Sequence, residues 1–115
     1  MLRNLTTGEI LATRVHHCNS LLSRARGVML RRSLREDEVL IFSEGDESVV
    51  FTTITMLFVF FPIAVLWLDG EKQVVDKRLA RPFRLWYAPA RPARYYVEGH
   101  PSLLDRVEVG HYLSF

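Results

Sequence analysis

Residues 49–68, VVFTTITMLFVFFPIAVLWL, run for twenty positions without a charge. A stretch of that length either crosses a bilayer as a helix or lies inside a folded core. Nine of the twenty residues are Val, Ile or Thr, whose branched Cβ favours strands. The hydroxyls of Thr52, Thr53 and Thr55 and the backbone break at Pro62 would each need polar compensation in lipid. Asp69-Gly70 follows at once, then QVVDKRLA. Asp-Gly between apolar runs is a strong hairpin signal, and a membrane helix does not end in a hairpin. The segment is therefore expected to form two buried strands broken near Pro62. The second should turn at Asp69-Gly70 into a partner strand over Gln73–Leu79. No membrane span is expected.

The rest of the chain fits a single domain over residues 1–115, long enough to bury one core without metal or disulfide help. Cys18 is the only cysteine, so no intrachain disulfide can form. That suits a reducing compartment, and a cytoplasmic location is the expectation. The opening MLRNLTTGEIL has no long apolar run of the secretory kind. The net charge is +2, from thirteen Arg and two Lys against 13 acids. A balance that slight does not mark a nucleic-acid binder, and the expectation is against one.

Glu9–His16 reads as a strand, Val39–Phe42 as a short strand, and Ser43–Ser48 as an acidic loop. Asn19 or Ser20 can cap a helix start, Leu21, Leu22 and Ala25 share a helical face, and Gly27 suits the left-handed stop. One short N-terminal helix is expected there. Residues 81–94 carry three prolines and no helical period, which predicts an extended surface loop. Ala93–Glu98 reads as a strand, Pro101–Arg106 as one helical turn, and Val107–Leu113 as the last strand. The fold class expected is α+β: mainly β, with a small, strongly bent or barrel-like sheet and one short N-terminal helix.

Several residue groups carry chemistry. His16-His17-Cys18 has the composition of a metal site. Neighbours on a strand face opposite ways, however, and no second Cys/His cluster completes a tetrahedron. No metal and no cofactor is expected. Cys18 reads as a small buried hydrophobe. Arg24, Arg26, Arg31, Arg32 and Arg35 gather around the helix end and its connector. Arg forks match phosphate or carboxylate, so Arg26, Arg31 and Arg32 are candidate ligands of a small anionic molecule or a protein partner. Surface pairing with Glu36, Asp37 and Glu38 is the plainer account of that cluster. The loop RPFRLWYAPARPARYY, residues 81–96, interleaves Arg with aromatics, as single-strand binders do. Its plainer account is a stiff loop laying Phe83 and Trp86 over the open end of the sheet, and that account is preferred.

The segments RARGVMLRRSLREDEVLIF, ITMLFVFFPIAVLWLD and YYVEG, in that order and spacing, resemble the prokaryotic family known as domain of unknown function 192, or uncharacterised protein family 0127. The resemblance covers residues 9–115. It implies a compact α+β fold with a small bent sheet, and no established activity. It also implies a His where this chain has Thr55 and an Asp where it has Ala64, so a polar pair that such a site would use for acid–base or metal work is missing here. Glu98 matches the family's carboxylate at the strand end. Thr55 and Glu98 thus join the candidate ligand residues. The expectation is a non-catalytic domain binding a partner or small anionic ligand. The rivals are an enzyme using Glu98 with His100 or Thr55, and a single-strand nucleic-acid binder using the 81–96 loop. A further expectation is that Glu98 is at least partly buried and accepts hydrogen bonds from Arg26 or the 26–28 backbone.

Overall fold

The computed structural model describes residues 1–18, 33–56, 59–84 and 86–115. Among these residues eight strands are present: β1 Leu2–Asn4, β2 Ile10–Ala12, β3 Arg14–Cys18, β4 Glu38–Ser48, β5 Ile63–Leu68, β6 Val74–Ala80, β7 Ala93–Gly99 and β8 Leu113–Ser114. They form a three-stranded sheet in the order β2-β1-β8 and a five-stranded sheet in the order β3-β4-β7-β5-β6. All pairs in the larger sheet are antiparallel except β3 with β4.

The larger sheet is covered on both sides. Leu40, Phe42, Val65, Trp67 and Tyr96 point to one face, where Cys18, Ile54, Met56, Val59 and Tyr87 pack against them. Val39, Ile41, Ala64, Leu66, Leu68 and Val97 point to the other. There they meet Leu2, Leu11 and Leu113 of the small sheet, with Leu103 and Val107. A strand covered on both faces has no polar side to show, which is why Ile63–Leu68 reads as an unbroken apolar run. All six of its residues are buried.

The α+β expectation is corrected. The described residues form a mainly β protein of two open sheets, with β3 and β6 as the edges of the larger one and no closed barrel. Among them the only helical element is the five-residue 3-10 turn Pro101–Asp105, where one helical turn was expected. The short N-terminal helix expected over Asn19–Gly27 lies outside the described residues.

Two local expectations also change. Residues 49–62 are not a second buried strand: Val50, Phe51 and Phe60 are exposed. The Thr52 hydroxyl donates to the Ser48 carbonyl at 2.5 Å and the Thr53 hydroxyl to that of Val49 at 2.8 Å. Threonine hydroxyls bonded to nearby backbone offer the chain an alternative to a ladder. The β5–β6 hairpin is as expected, but its turn is not a two-residue Asp-Gly turn. The Asp69 carboxylate accepts from the N–H groups of Glu71 and Gln73 at 2.9 and 3.0 Å. The left-handed residue is Lys72, at φ 64°, rather than Gly70. An Asx turn of this kind does the work that glycine does in a tighter loop.

Candidate functional site

Glu98 lies on β7 between Leu40 of β4 and Val65 of β5, on the face that carries the first core cluster. It is 5% exposed, and its Oε1 has no hydrogen-bond partner among the described residues. Burial in that apolar setting pushes the carboxyl up to about 7, because desolvation penalises the charged form. The expectation of burial holds. The expected donors at Arg26–Val28 lie outside the described residues, as do the candidate ligands Arg26, Arg31 and Arg32.

A second acid shares this face. Glu38, two residues before Leu40 on β4, takes the Arg35 N–H on Oε1 at 3.3 Å and pairs with His16 Nε2 through Oε2 at 2.8 Å. His17 turns the other way, with its ring against Phe115, as strand neighbours must. Among the described residues no group of three His, Cys, Asp or Glu is arranged to hold a metal ion.

The residues of the enzyme rival differ in their surroundings. Thr55 is exposed while Glu98 is buried. Ala64, the position of the family's Asp, points into the second core cluster, on the face opposite Glu98. His100 caps the 3-10 turn: its Nδ1 accepts the Ser102 N–H at 3.1 Å. A backbone N–H can only donate, so Nδ1 accepts and the ring serves as a cap. A shallow apolar hollow beside it, of about 210 Å³, is lined by Ser33, Leu34, Phe61, Pro62, His100 and Pro101.

The loop at 81–94 is built differently from the expectation. Ile54 and Tyr87 exchange backbone hydrogen bonds at 2.9 and 2.8 Å. Met56 N–H donates to the Arg84 carbonyl at 3.0 Å, and Phe83 N–H to the Met56 carbonyl at 2.9 Å. The result is a short antiparallel ribbon. Alternation across it sends Ile54, Met56 and Tyr87 into the core and leaves Thr55 and Trp86 outside. Tyr87 also takes the Arg81 N–H on its hydroxyl at 2.8 Å. So Tyr87, rather than Phe83 and Trp86, closes over the sheet. Trp86 is 65% exposed.

Phe83 and Phe60 are also exposed and stack edge to face, with ring centroids 5.3 Å apart. Arg81, Arg84 and Arg91 are exposed, and the Arg84 guanidinium lies 4.6 Å from the centroid of the Tyr87 ring. Residues 77–97 contain six Lys or Arg and no acid. The interleaving of Arg and aromatics was the available signal. Which aromatics faced out was not readable from it.

The comparisons with known proteins bear on the whole of this architecture. The family model for DUF192, described as an uncharacterized ACR, matches residues 3–115. A UPF0127 protein of Thermococcus kodakarensis is 34% identical over 109 residues, covering 95% of this chain and 68% of its own. The chain belongs to the DUF192 family. Another UPF0127 relative, from Pyrococcus furiosus, is 33% identical over 114 residues, 97% of this chain and 95% of its own. A crystal structure of a protein of unknown function from Novosphingobium aromaticivorans superposes with a TM-score of 0.77 at 20% identity, covering 88% of this chain and 74% of its own. That likeness is one of fold. The function of this DUF192 member is uncharacterised, as it is for those relatives. Among its described residues no helix is long and apolar enough to cross a membrane.

Proposed function

We propose that this DUF192 domain works by binding, and that it holds an anionic partner on the outer face of the ribbon formed by residues 54–56, 83–84 and 86–87. The observation that carries the reading is the exposed pair of Phe60 and Phe83, ring centroids 5.3 Å apart, with Trp86 65% exposed three residues beyond Phe83 on the hydrogen-bonded ribbon. Large aromatics held out in water on a fixed backbone are costly to leave bare, and a cluster of them marks an interaction site. Arg81, Arg84 and Arg91 set the sign of the partner. A non-catalytic role is supported by the placement of Glu98, buried between Leu40 and Val65, whereas Thr55 is exposed. The reading assumes a reducing cytoplasm, in keeping with the single buried thiol of Cys18.

The test uses the two tryptophans, one fully buried at Trp67 and one exposed at Trp86. Titration with inorganic polyphosphate should change the Trp86 emission, reverse with salt, and weaken when Arg81 and Arg84 are both replaced by Glu. Emission that ignores polyphosphate at low salt would remove the reading.

A further inference from the structure

We infer that the partner of this ridge is single-stranded nucleic acid, an inference that rests on the ridge being the binding face. A strand without its complement offers two things in alternation, flat base faces and phosphates. The ridge offers their complements. Phe60, Phe83 and Trp86 present ring surface to solvent, and Arg81, Arg84 and Arg91, interleaved with Phe83 and Trp86 along the chain, are exposed as well. Ring stacking with interleaved cations is how sequence-tolerant single-strand binders work. A duplex keeps its base faces inside the stack, so it would meet the arginines and leave the rings idle. An acidic peptide would do the same.

The backbone adds an independent point. Phe83 sits at φ 63°, a left-handed conformation that a residue with a Cβ occupies at a cost. Two hydrogen bonds, from Phe83 N–H to Met56 and from Met56 N–H to Arg84, hold it there. A glycine would fit that backbone better, yet the position carries a half-exposed ring against Phe60. The strain is spent on presenting an aromatic side chain to solvent. Core packing does not ask for it, since Tyr87 already covers the sheet from the same ribbon.

The experiment is fluorescence anisotropy on the intact chain with labelled oligonucleotides of about 12 residues, within the usual footprint of a small single-strand site. Deoxythymidine and uridine oligomers decide between DNA and RNA. A duplex of the same length, polyphosphate and a poly-glutamate peptide are the comparisons. The expected result is single-strand binding at least about tenfold tighter than duplex. The slope of log affinity against log salt should be about −2, the value for three arginine contacts to a single strand. Trp86→Ala should weaken binding by about tenfold or more. Phe83→Gly should do likewise while melting no earlier than the parent, because it relieves the left-handed strain. Equal binding of duplex or of poly-glutamate, or polyphosphate binding with no single-strand preference, would overturn the nucleic-acid inference and leave the ridge as an anion-binding face. Binding of none of the probes would overturn both.

Discussion

The two parts of the uncharged stretch, residues 49–62 and Ile63–Leu68, are both largely apolar and meet opposite fates. Ile63–Leu68 is buried at every position. Over residues 49–62 the apolar side chains divide: Ile54, Met56 and Val59 go into the core, while Val50, Phe51 and Phe60 stay in water at 77, 71 and 57% exposure. What differs is the number of neighbours each half finds. β5 is paired on both edges, by β6 and β7, and covered on both faces. The first part, among its described residues, pairs with Phe83, Arg84 and Tyr87 and keeps a solvent face. Apolar composition made burial available to both. Pairing on two edges made it complete for one, and the half left with a free face became the ridge.

The comparison is sharpest at Trp67, which ties the halves together. Its ring is fully buried on β5 and its Nε1 donates to the Thr52 carbonyl at 2.7 Å. Trp67→Ala should cost about 3–5 kcal/mol by emptying the core and freeing the Thr52 carbonyl. Urea unfolding measures it, and a loss below about 1 kcal/mol would mean that the two halves are not one packing unit.

Next in size is the pH dependence set by Glu98, beside Val65. Its folded carboxyl stands at about 7 against an ordinary 4.5. Between those values the folded chain keeps a proton that the unfolded chain has released, so rising pH favours unfolding. Glu98 should therefore cost nothing below about pH 4.5, withdraw stability progressively up to about pH 7, and have no further effect above. The total is of order 3 kcal/mol. Glu98→Gln removes the titration. The difference in urea midpoint between variant and parent should grow from pH 4.5 to pH 7.5, and a difference flat across that range would show the carboxyl to be solvated.

The smaller effects belong to the first half. Thr52 is fully buried and its hydroxyl donates to the Ser48 carbonyl. Thr52→Val keeps the shape and deletes the donor, so about 1 kcal/mol should be lost. An unchanged melting curve would remove the hydroxyl as the reason this half leaves the ladder. Phe51, at 71% exposure, supports nothing in the core. Phe51→Ser should move stability by no more than about 0.5 kcal/mol. Set beside Trp67→Ala, it measures how unequally two aromatics of one apolar run are used.

Much of this was legible in the residues. The β5–β6 hairpin, β7 and the turn at Pro101 follow from runs of apolar and β-branched residues punctuated by Asp, Gly and Pro. Burial of Glu98 was expected from its place at the end of an apolar strand. Other features had no local signal. β1 and β8 are three and two residues long, too short for a period to register. Ser43–Ser48 reads as an acidic loop, yet continues β4, because its pairing partner on β7 lies some fifty residues away in sequence. Asp69-Gly70 marked the hairpin, while the Asp69 side chain and left-handed Lys72 decided its shape.

By itself the sequence determined the β5–β6 hairpin, since β-branched and apolar residues over Ile63–Leu68, followed by Asp69-Gly70, favour a strand and a reversal locally. It also placed arginines and aromatics together in one acid-free stretch. Tertiary structure alone decided which of those aromatics is inside. Trp86 and Tyr87 are neighbours on a ribbon, so one must face the core and the other the solvent. Nothing in either residue fixes the phase. The register with Ile54 does, through the pair of hydrogen bonds to Tyr87. Likewise Glu98 is an ordinary carboxylate in the sequence and becomes a poorly solvated one only when Leu40 and Val65 close on it from strands far away along the chain.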